Sequence, residues 1–406
     1  MDHIELTERV PFAGDYDVIV AGGGVAGCAA ALEAARHGKE TMLIEKSMVL
    51  GGLATLGLVN WWVPMDDGRG NQIIFGMAEE LLRLSIKYGY GSELPEWKDG
   101  RYTGKSDPPP RYGTSFSAGI FALTLTGLLD DAGVDLCFDT VVDTPVTRNN
   151  NGSVICNGLV VTNKSGRSYY AARQIIDVTG DADILARAGV PTVTRGNYDS
   201  YFGKMMTLES MKAAVEKGDI GRAYAGVCGG GASLYGGNQS VDVPMYDGTD
   251  ASEVNRYLVH NQRWMLDKLK GGDRKSRDVV QLPGMTNFRT TRRIAGDATL
   301  LPEDAFVRRE DSIALINDFD RRDYLYEVPF GALVRTGFDN LSTAGRSASG
   351  DRWGWDLLRV IPPAVITGQA AGLAASMAID SGRAIWDADI PKLQSALEDE
   401  NVRIHM

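Results

Sequence analysis

The sequence predicts an α/β fold: a Rossmann-like domain with a parallel sheet and a β-meander, joined to a discontinuous α+β substrate domain. Three observations predict it. A strand–glycine–helix–strand unit occupies Val18 to Lys46, short alternating strands run from Val141 to Ala171, and irregular charge-rich stretches interrupt both.

Tyr16 to Ala21 is a buried-strand run, and Cys28 to His37 is an Ala-rich helix anchored by Leu32. Gly38 stops that helix, and Thr41 to Glu45 makes the next strand. Between strand and helix, Gly22, Gly24 and Gly27 complete G-x-G-x-x-G around Val25 and Ala26. The first glycine permits the tight turn, the second lets backbone approach a pyrophosphate, and the third allows close packing. The N–H groups and positive dipole end of the helix then face phosphates. Glu45, eighteen residues after Gly27, stands where a carboxylate accepts from ribose hydroxyls.

From Leu53 to Arg111 the pattern is irregular, with one helix from Ile74 to Tyr88 and a long loop expected over Gly89 to Tyr112. A helix from Ile120 to Ala132 leads to the strand Asp135 to Asp139. The strands Val141–Thr147, Val154–Asn163 and Ser168–Ala171 follow, with turns at Asn149–Gly152 and Lys164–Gly166. Gln174 to Asp181 returns as a buried strand ending at a glycine. Helices, glycine clusters and many charges fill residues 190–330, and a helix is expected from Ala364 to Ser381.

The chain has 406 residues, 44% of them apolar and 23% charged, as ordinary globular proteins do. Its net charge of −11 argues against a nucleic-acid footprint, which needs clustered cations. Cys28, Cys137, Cys156 and Cys228 lie far apart, a spacing that excludes zinc knuckles and a redox dithiol motif and leaves no metal site to be read. The first residues, MDHIELTERVPFAG, are acidic and lack an apolar signal region. The most apolar segment, VIPPAVITGQAAGLAASMAI, is interrupted by two prolines and two glycines and reads as a turn entering a packed helix. These features predict a cytoplasmic protein with no membrane partner.

After Glu45, the run Lys46-Ser-Met-Val-Leu-Gly51-Gly52 sets two more glycines beside Ala54-Thr55. Ile176-Asp-Val-Thr-Gly-Asp181, Thr290-Thr-Arg-Arg-Ile-Ala-Gly-Asp297 with Leu301-Pro-Glu-Asp304, Asn340-Leu-Ser-Thr-Ala-Gly-Arg346 and Gly368-Gln-Ala-Ala-Gly372 follow. Together these blocks resemble the FAD-dependent oxidoreductases of the glutathione-reductase-like superfamily, in its single-dinucleotide-fold group. The resemblance extends to heterodisulfide-reductase A-type and cobalamin-pathway flavoproteins.

The resemblance implies FAD as cofactor. It assigns cofactor contacts to Gly22, Gly24, Val25, Ala26, Gly27, Glu45, Lys46, Gly51, Gly52, Ala54, Thr55 and Val142. Thr179, Gly180, Asp181, Gly345, Arg346, Gly368, Gln369, Ala370 and Gly372 join them. The small residues Ala370, Ala371 and Gly372 are expected to let their helix approach the cofactor closely. The implied division gives residues 13–55, 113–190 and 335–385 to the FAD domain, 56–112 and 191–334 to the substrate domain, and 386–406 to a tail helix.

Departures from the pattern narrow the chemistry. No second G-x-G-x-x-G exists, so a resident nicotinamide domain is not expected. The absence of histidine between Lys46 and Asn60 speaks against a histidyl linkage, so the FAD is expected to be non-covalent. His260 is the one histidine placed to serve as a base, against the plainer reading of a solvated helix histidine. Arg289, Arg292 and Arg293 suit an anionic substrate, or pair structurally with Asp297, Glu303 and Asp304. Asp351, Arg352, Trp353 and Trp355 are expected over the flavin, forming a platform with Trp61 and Trp62 for a ring-containing substrate.

The function expected is hydride removal from a C–H bearing oxygen or nitrogen, with oxygen or an external carrier as acceptor. A partner-fed reductase of an activated C=C or C=O is the alternative, and a non-catalytic flavin-stabilised subunit the third. An oligomer is compatible with all three.

Overall fold

The computed structural model describes residues 7–91 and 95–406. Residues 1–6, which include His3, and residues 92–94 of the expected loop lie outside the described part.

A seven-stranded sheet forms the centre. Its strands are β1 (Phe12–Ala21), β2 (Thr41–Ile44), β3 (Asp135–Cys137), β4 (Val141–Asn150), β5 (Ser153–Asn163) and β6 (Gly166–Asp177), in the order β3-β2-β1-β6-β5-β4. The short strand Leu341–Thr343 also pairs β6, in parallel. β1 pairs β2 and β6 in parallel, while β4, β5 and β6 form an antiparallel meander. The Rossmann-like sheet and its meander are therefore as the sequence predicts.

β6 belongs to both halves. Its first residues pair Asn163 back to Gly158, and its last run alongside β1 until Ala21 faces Asp177. Ala21 also faces Ile44, so three carboxyl ends finish level. In open α/β sheets that edge is where ligands bind.

Helix α1 (Val25–Arg36) covers one face, and α8 (Ile361–Ser381) crosses it closely. The crossing depends on glycines: a Cβ at Gly368 would stand 2.2 Å from the Ala26 carbonyl oxygen, and one at Gly372 2.4 Å from that of Ala30. Gly368 and Gly372 are thus set into the α1–α8 seam, while Gln369 bonds Met77 N and Glu400, and α8 is buried over nearly its whole length. α8 begins earlier than the sequence suggests, because Pro362 and Pro363 sit in its first turn, where their missing N–H groups cost no hydrogen bond.

The remaining helices used below are α2 (Met77–Ile86), α3 (Ala118–Asp131), α4 (Asp183–Arg187), α5 (Leu208–Lys217), α6 (Ala251–Lys270), α7 (Trp353–Leu358) and α9 (Ile390–Asp399). A second, three-stranded antiparallel sheet centres on β7 (Ser200–Thr207), flanked by β8 (Ala225–Gly231) and β9 (Arg277–Gln281). It carries its own small core, with Tyr257 of α6 against Phe288, ring centroids 4.6 Å apart.

The expected long loop over Gly89–Tyr112 holds a small ladder between Trp97–Lys98 and Arg101–Tyr102, with Trp97 against Tyr112 at 5.2 Å between centroids. Alternation over two residues a side is too short a pattern to read in sequence. Among the described residues no helix is long and apolar enough to cross a membrane.

Candidate functional site

β1 ends at Ala21, and the chain must turn at once into α1. Gly22 makes the turn with φ +114°, and a Cβ there would meet the Val178 carbonyl oxygen at 2.4 Å. Gly27 packs under the same turn: a Cβ on it would sit 1.8 Å from the Gly22 oxygen. Gly24 differs, since a Cβ there would have nothing within 4 Å. It caps α1 without a side-chain hydrogen bond, leaving first-turn amides without intrahelical partners beside open space.

That space is a cavity of about 540 Å³ along the carboxyl ends of the strands. Of the residues assigned to the cofactor from sequence, Gly22, Gly24, Val25, Ala26, Glu45, Lys46, Gly51, Gly52 and Ala54 line it. Val142, Thr179, Gly180 and Arg346 do so as well. Gly27, Thr55, Asp181, Gly345, Gly368, Gln369, Ala370 and Gly372, expected at the cofactor, do not line it. Gly345 has φ +63° and would touch Ala26 Cβ at 3.0 Å, which seats the Ala344–Arg346 turn on the start of α1.

Gly51 and Gly52 do more than admit a ligand. Gly51 bridges Gly24, its N–H donates to the Gly23 oxygen at 2.7 Å, and a Cβ on Gly52 would lie 3.0 Å from Gly24 Cα. Two glycine turns are therefore pressed together into one wall. Thr55 fixes the second by donating to the Leu50 oxygen at 2.5 Å.

Glu45 is buried at the end of β2, accepting from Gly23 N at 2.6 Å and Ser47 N at 2.7 Å. Asp177 plays the matching part on β6. Its carboxylate accepts from Thr179 N at 3.1 Å and from Ile184 N and Leu185 N at 2.9 Å. These bonds hold the Thr179–Asp181 turn against the start of α4, and full burial pushes the Asp177 carboxyl up to about 6 despite them. Asp177 stands inside the Ile176–Asp181 block without a motif role of its own; a carboxylate directly after Ile175 and Ile176 at a strand end is the signal that marks it.

The charged groups at the cavity are mostly tied. Arg346 is buried, with its guanidinium 3.0 Å from Asp181 and donating to the Phe288 oxygen at 3.2 Å. Arg359 lines the cavity too, 2.7 Å from Asp356, and burial lowers its pKa. Arg187 donates to the Val142 oxygen at 2.9 Å. Arg359, Arg187, Gly284 and Met285 were not singled out from sequence, because no local motif brings residues 284–285 to this wall.

The side chains expected to meet substrate lie elsewhere around it. Arg292 pairs with Asp183 at 2.6 Å and donates to the Asp181 oxygen at 2.9 Å. Arg293 is buried over the Trp355 ring and donates to Ser349 Oγ at 3.0 Å. Arg352 is exposed and paired with Glu303 at 2.7 Å and Asp351 at 3.4 Å. Trp353 stacks on Tyr235 and donates to Asp318 at 2.7 Å. His260 lies 3.8 Å from Asp199 on a separate cleft that Arg256 and Trp264 share. None of these six lines the 540 Å³ cavity. The expected four-tryptophan platform does not assemble: Trp62 packs instead on Phe116 and Phe121, Trp355 donates to the Arg346 oxygen, and Trp61 is exposed.

A second cleft, of about 760 Å³, adjoins the loop that leaves this wall. Leu56 faces the first cavity; Leu58 and Asn60 face the second. Between them Leu58 is buried with φ +60°, a strained conformation for leucine. The cleft is bounded by Tyr90, Tyr224 and Lys204, whose ammonium stands 5.2 Å over the Tyr224 ring. Partial burial lowers the pKa of Lys204.

A family model described as FAD dependent oxidoreductase matches residues 17–224 and 232–397. No curated protein matches the chain. Solved structures do resemble it. THI4 of Thermovibrio ammonificans shares 20% identity at a TM-score of 0.33, over 45% of this chain and 66% of that one. A geranylgeranyl bacteriochlorophyll reductase-like protein of Thermoplasma acidophilum shares 17% at 0.44, over 95% and 83%. The p-nitrophenol 4-monooxygenase PnpA of Pseudomonas putida DLL-E4 shares 12% at 0.43, over 95% and 81%.

Proposed function

This chain belongs to the FAD-dependent oxidoreductase family; on that premise we propose that it holds FAD non-covalently in the 540 Å³ cavity and oxidises a polar, ring-containing small molecule. Its place within the glutathione-reductase-like superfamily, near heterodisulfide-reductase A-type and cobalamin-pathway flavoproteins, is part of the same proposal. So are the division into FAD, substrate and tail segments, a cytoplasmic location, and oxygen or an external carrier as acceptor.

The residues present fit the cofactor. Gly24 opens onto the cavity where a Cβ would meet nothing, and the amides of α1 beside it lack partners. That single feature carries the reading, because helix amides at a bare glycine turn suit a pyrophosphate. Glu45 and Lys46 supply the ribose end, and buried Arg346 and partly exposed Arg359 add cations toward α8. When bound, FAD supplies the hydride-accepting chemistry. The chain's own task is to bind and orient the cofactor, exclude water and set the charge around it.

The 760 Å³ cleft is proposed as the substrate's place, since Leu56 and Leu58 make one loop the wall of both spaces. Tyr90 and Tyr224 offer ring faces, and Lys204 holds a cation toward the electron-rich side of a polar substrate. Arg292 fixes Asp181 and Asp183 at the cavity edge, while Arg293, Asp351, Arg352 and Trp353 shape the segment between Arg346 and Arg359.

Anaerobic mixing of the holoenzyme with alcohols, amines, sugars and hydroxy acids tests this. Loss of the flavin's visible absorbance with one class supports oxidation of that class. A flavin that dithionite bleaches but no donor class does contradicts it.

A further inference from the structure

Away from both clefts, the C-terminal end of α1 meets the segment that follows α9. Glu33 and His37 stand one helical turn apart there, and Glu400 faces them. His37 Nε2 lies 2.9 Å from Glu400 Oε1 and 3.0 Å from Glu33 Oε1. All three donor atoms fall within 4.8 Å of one another.

Glu33 is only 1% exposed, and its Oε1 accepts no hydrogen bond. The reason is geometric: His37 Nε2 meets hydrogen-bond geometry with Glu400 Oε1 and not with Glu33 Oε1. The neighbouring cations are committed elsewhere, Arg36 to Glu80 at 2.6 Å and Lys39 to Asp380. Two carboxylates thus share the negative end of a helix dipole with one imidazole. Gln369 orients the outer carboxylate, its amide donating to Glu400 Oε2 at 2.7 Å while its oxygen accepts from Met77 N at 3.2 Å.

We propose that Glu33, His37 and Glu400 form a divalent-metal site, suited to Zn²⁺, that ties α1 to the chain beyond α9. One imidazole nitrogen and two carboxylate oxygens are a ligand set that zinc accepts. Tetrahedral donors about 2.1 Å from a shared ion lie about 3.4 Å apart, so the 2.9 and 3.0 Å between His37 and the two glutamates need open by only about 0.5 Å to admit zinc. The His37 side chain is 36% exposed, so an ion has an entry path and water can complete its shell. Gln369 acts as an outer partner that fixes Glu400, as hydrogen-bonded carboxylates do around metals. None of the three ligands lines the 540 Å³ cavity, so the site is structural and independent of the flavin chemistry.

Untagged holoenzyme stripped with a chelator and titrated calorimetrically with ZnCl₂ tests the site. The expected result is one Zn²⁺ per chain, an increase in Tm on loading, and affinity weaker by about tenfold or more in both His37→Ala and Glu400→Gln. Both substitutions fall on partly exposed side chains, and circular dichroism of the metal-free variants confirms that they fold. Absence of stoichiometric binding overturns the proposal. So does binding that persists unchanged in the two variants, because the ion would then sit elsewhere. FAD content, measured in the same samples, should not change with zinc.

Discussion

Gly368 of α8 and Ala26 of α1 touch backbone to backbone: a Cβ on the glycine would stand 2.2 Å from the alanine's carbonyl oxygen. Ala26 is also a wall of the cavity. A single methyl group at Gly368 must therefore push α8 away from α1 and deform the wall together. Gly368→Ala is expected to lower stability by about 1–3 kcal/mol, the usual range for overpacking, and to weaken FAD binding in parallel. Thermal unfolding with and without FAD measures both.

Asp177 gives the fold a pH dependence whose sign follows from its burial. Its carboxyl titrates near 6 in the folded chain against 3.8 for the free group, so the folded state holds the proton more tightly. The stabilisation that this brings is complete below about pH 4, declines as pH rises through 6, and is absent above. Asp177→Asn cannot titrate. It loses stability at every pH, because its amide turns an N–H toward donors such as Ile184 N and Leu185 N. The Tm gap between wild type and variant should narrow from pH 4 to pH 6 and stay constant beyond. A gap that is flat across that window contradicts the account.

Arg359 separates structural pairing from ligand binding. Arg359→Met leaves Asp356 with Arg195, at 3.9 Å, as its one ion-pair partner among the described residues, and should cost about 3–5 kcal/mol of stability together with FAD affinity. Adding Asp356→Asn removes the stranded carboxylate. The double variant is expected to regain much of the stability but not the affinity, as read by unfolding midpoints and FAD titration. Recovery of both would show that Arg359 serves the fold alone.

The legible part of this protein was local. G-x-G-x-x-G, Glu45 and the Ala344–Arg346 turn announce themselves because each role depends on residue types a few positions apart, and all three bear on one cavity. The physical job of Gly368 and Gly372 was less legible. Small residues on a helix signal close approach without saying to what, and the approach is to α1. Arg359, Gly284 and Met285 reach the cavity from distant segments, and no spacing rule connects them to Gly22. The tryptophans misled for the same reason: Trp61–Trp62 and Trp353–Trp355 look alike in sequence, yet tertiary packing sends Trp62 to Phe116 and Trp353 to Tyr235.

Titration of the FAD-free protein with FAD, comparing wild type with Gly24→Val, tests the central claim most directly. Gly24 has φ −65° and ψ 172°, a conformation valine adopts, and its Cβ would meet no protein atom within 4 Å. The variant should keep the unfolding midpoint of the FAD-free wild type. The wild type should bind one FAD per chain, released on denaturation, and the variant should bind about a hundredfold more weakly or not at all. Equal binding by the two proteins, or flavin that stays on the denatured chain, would contradict the account.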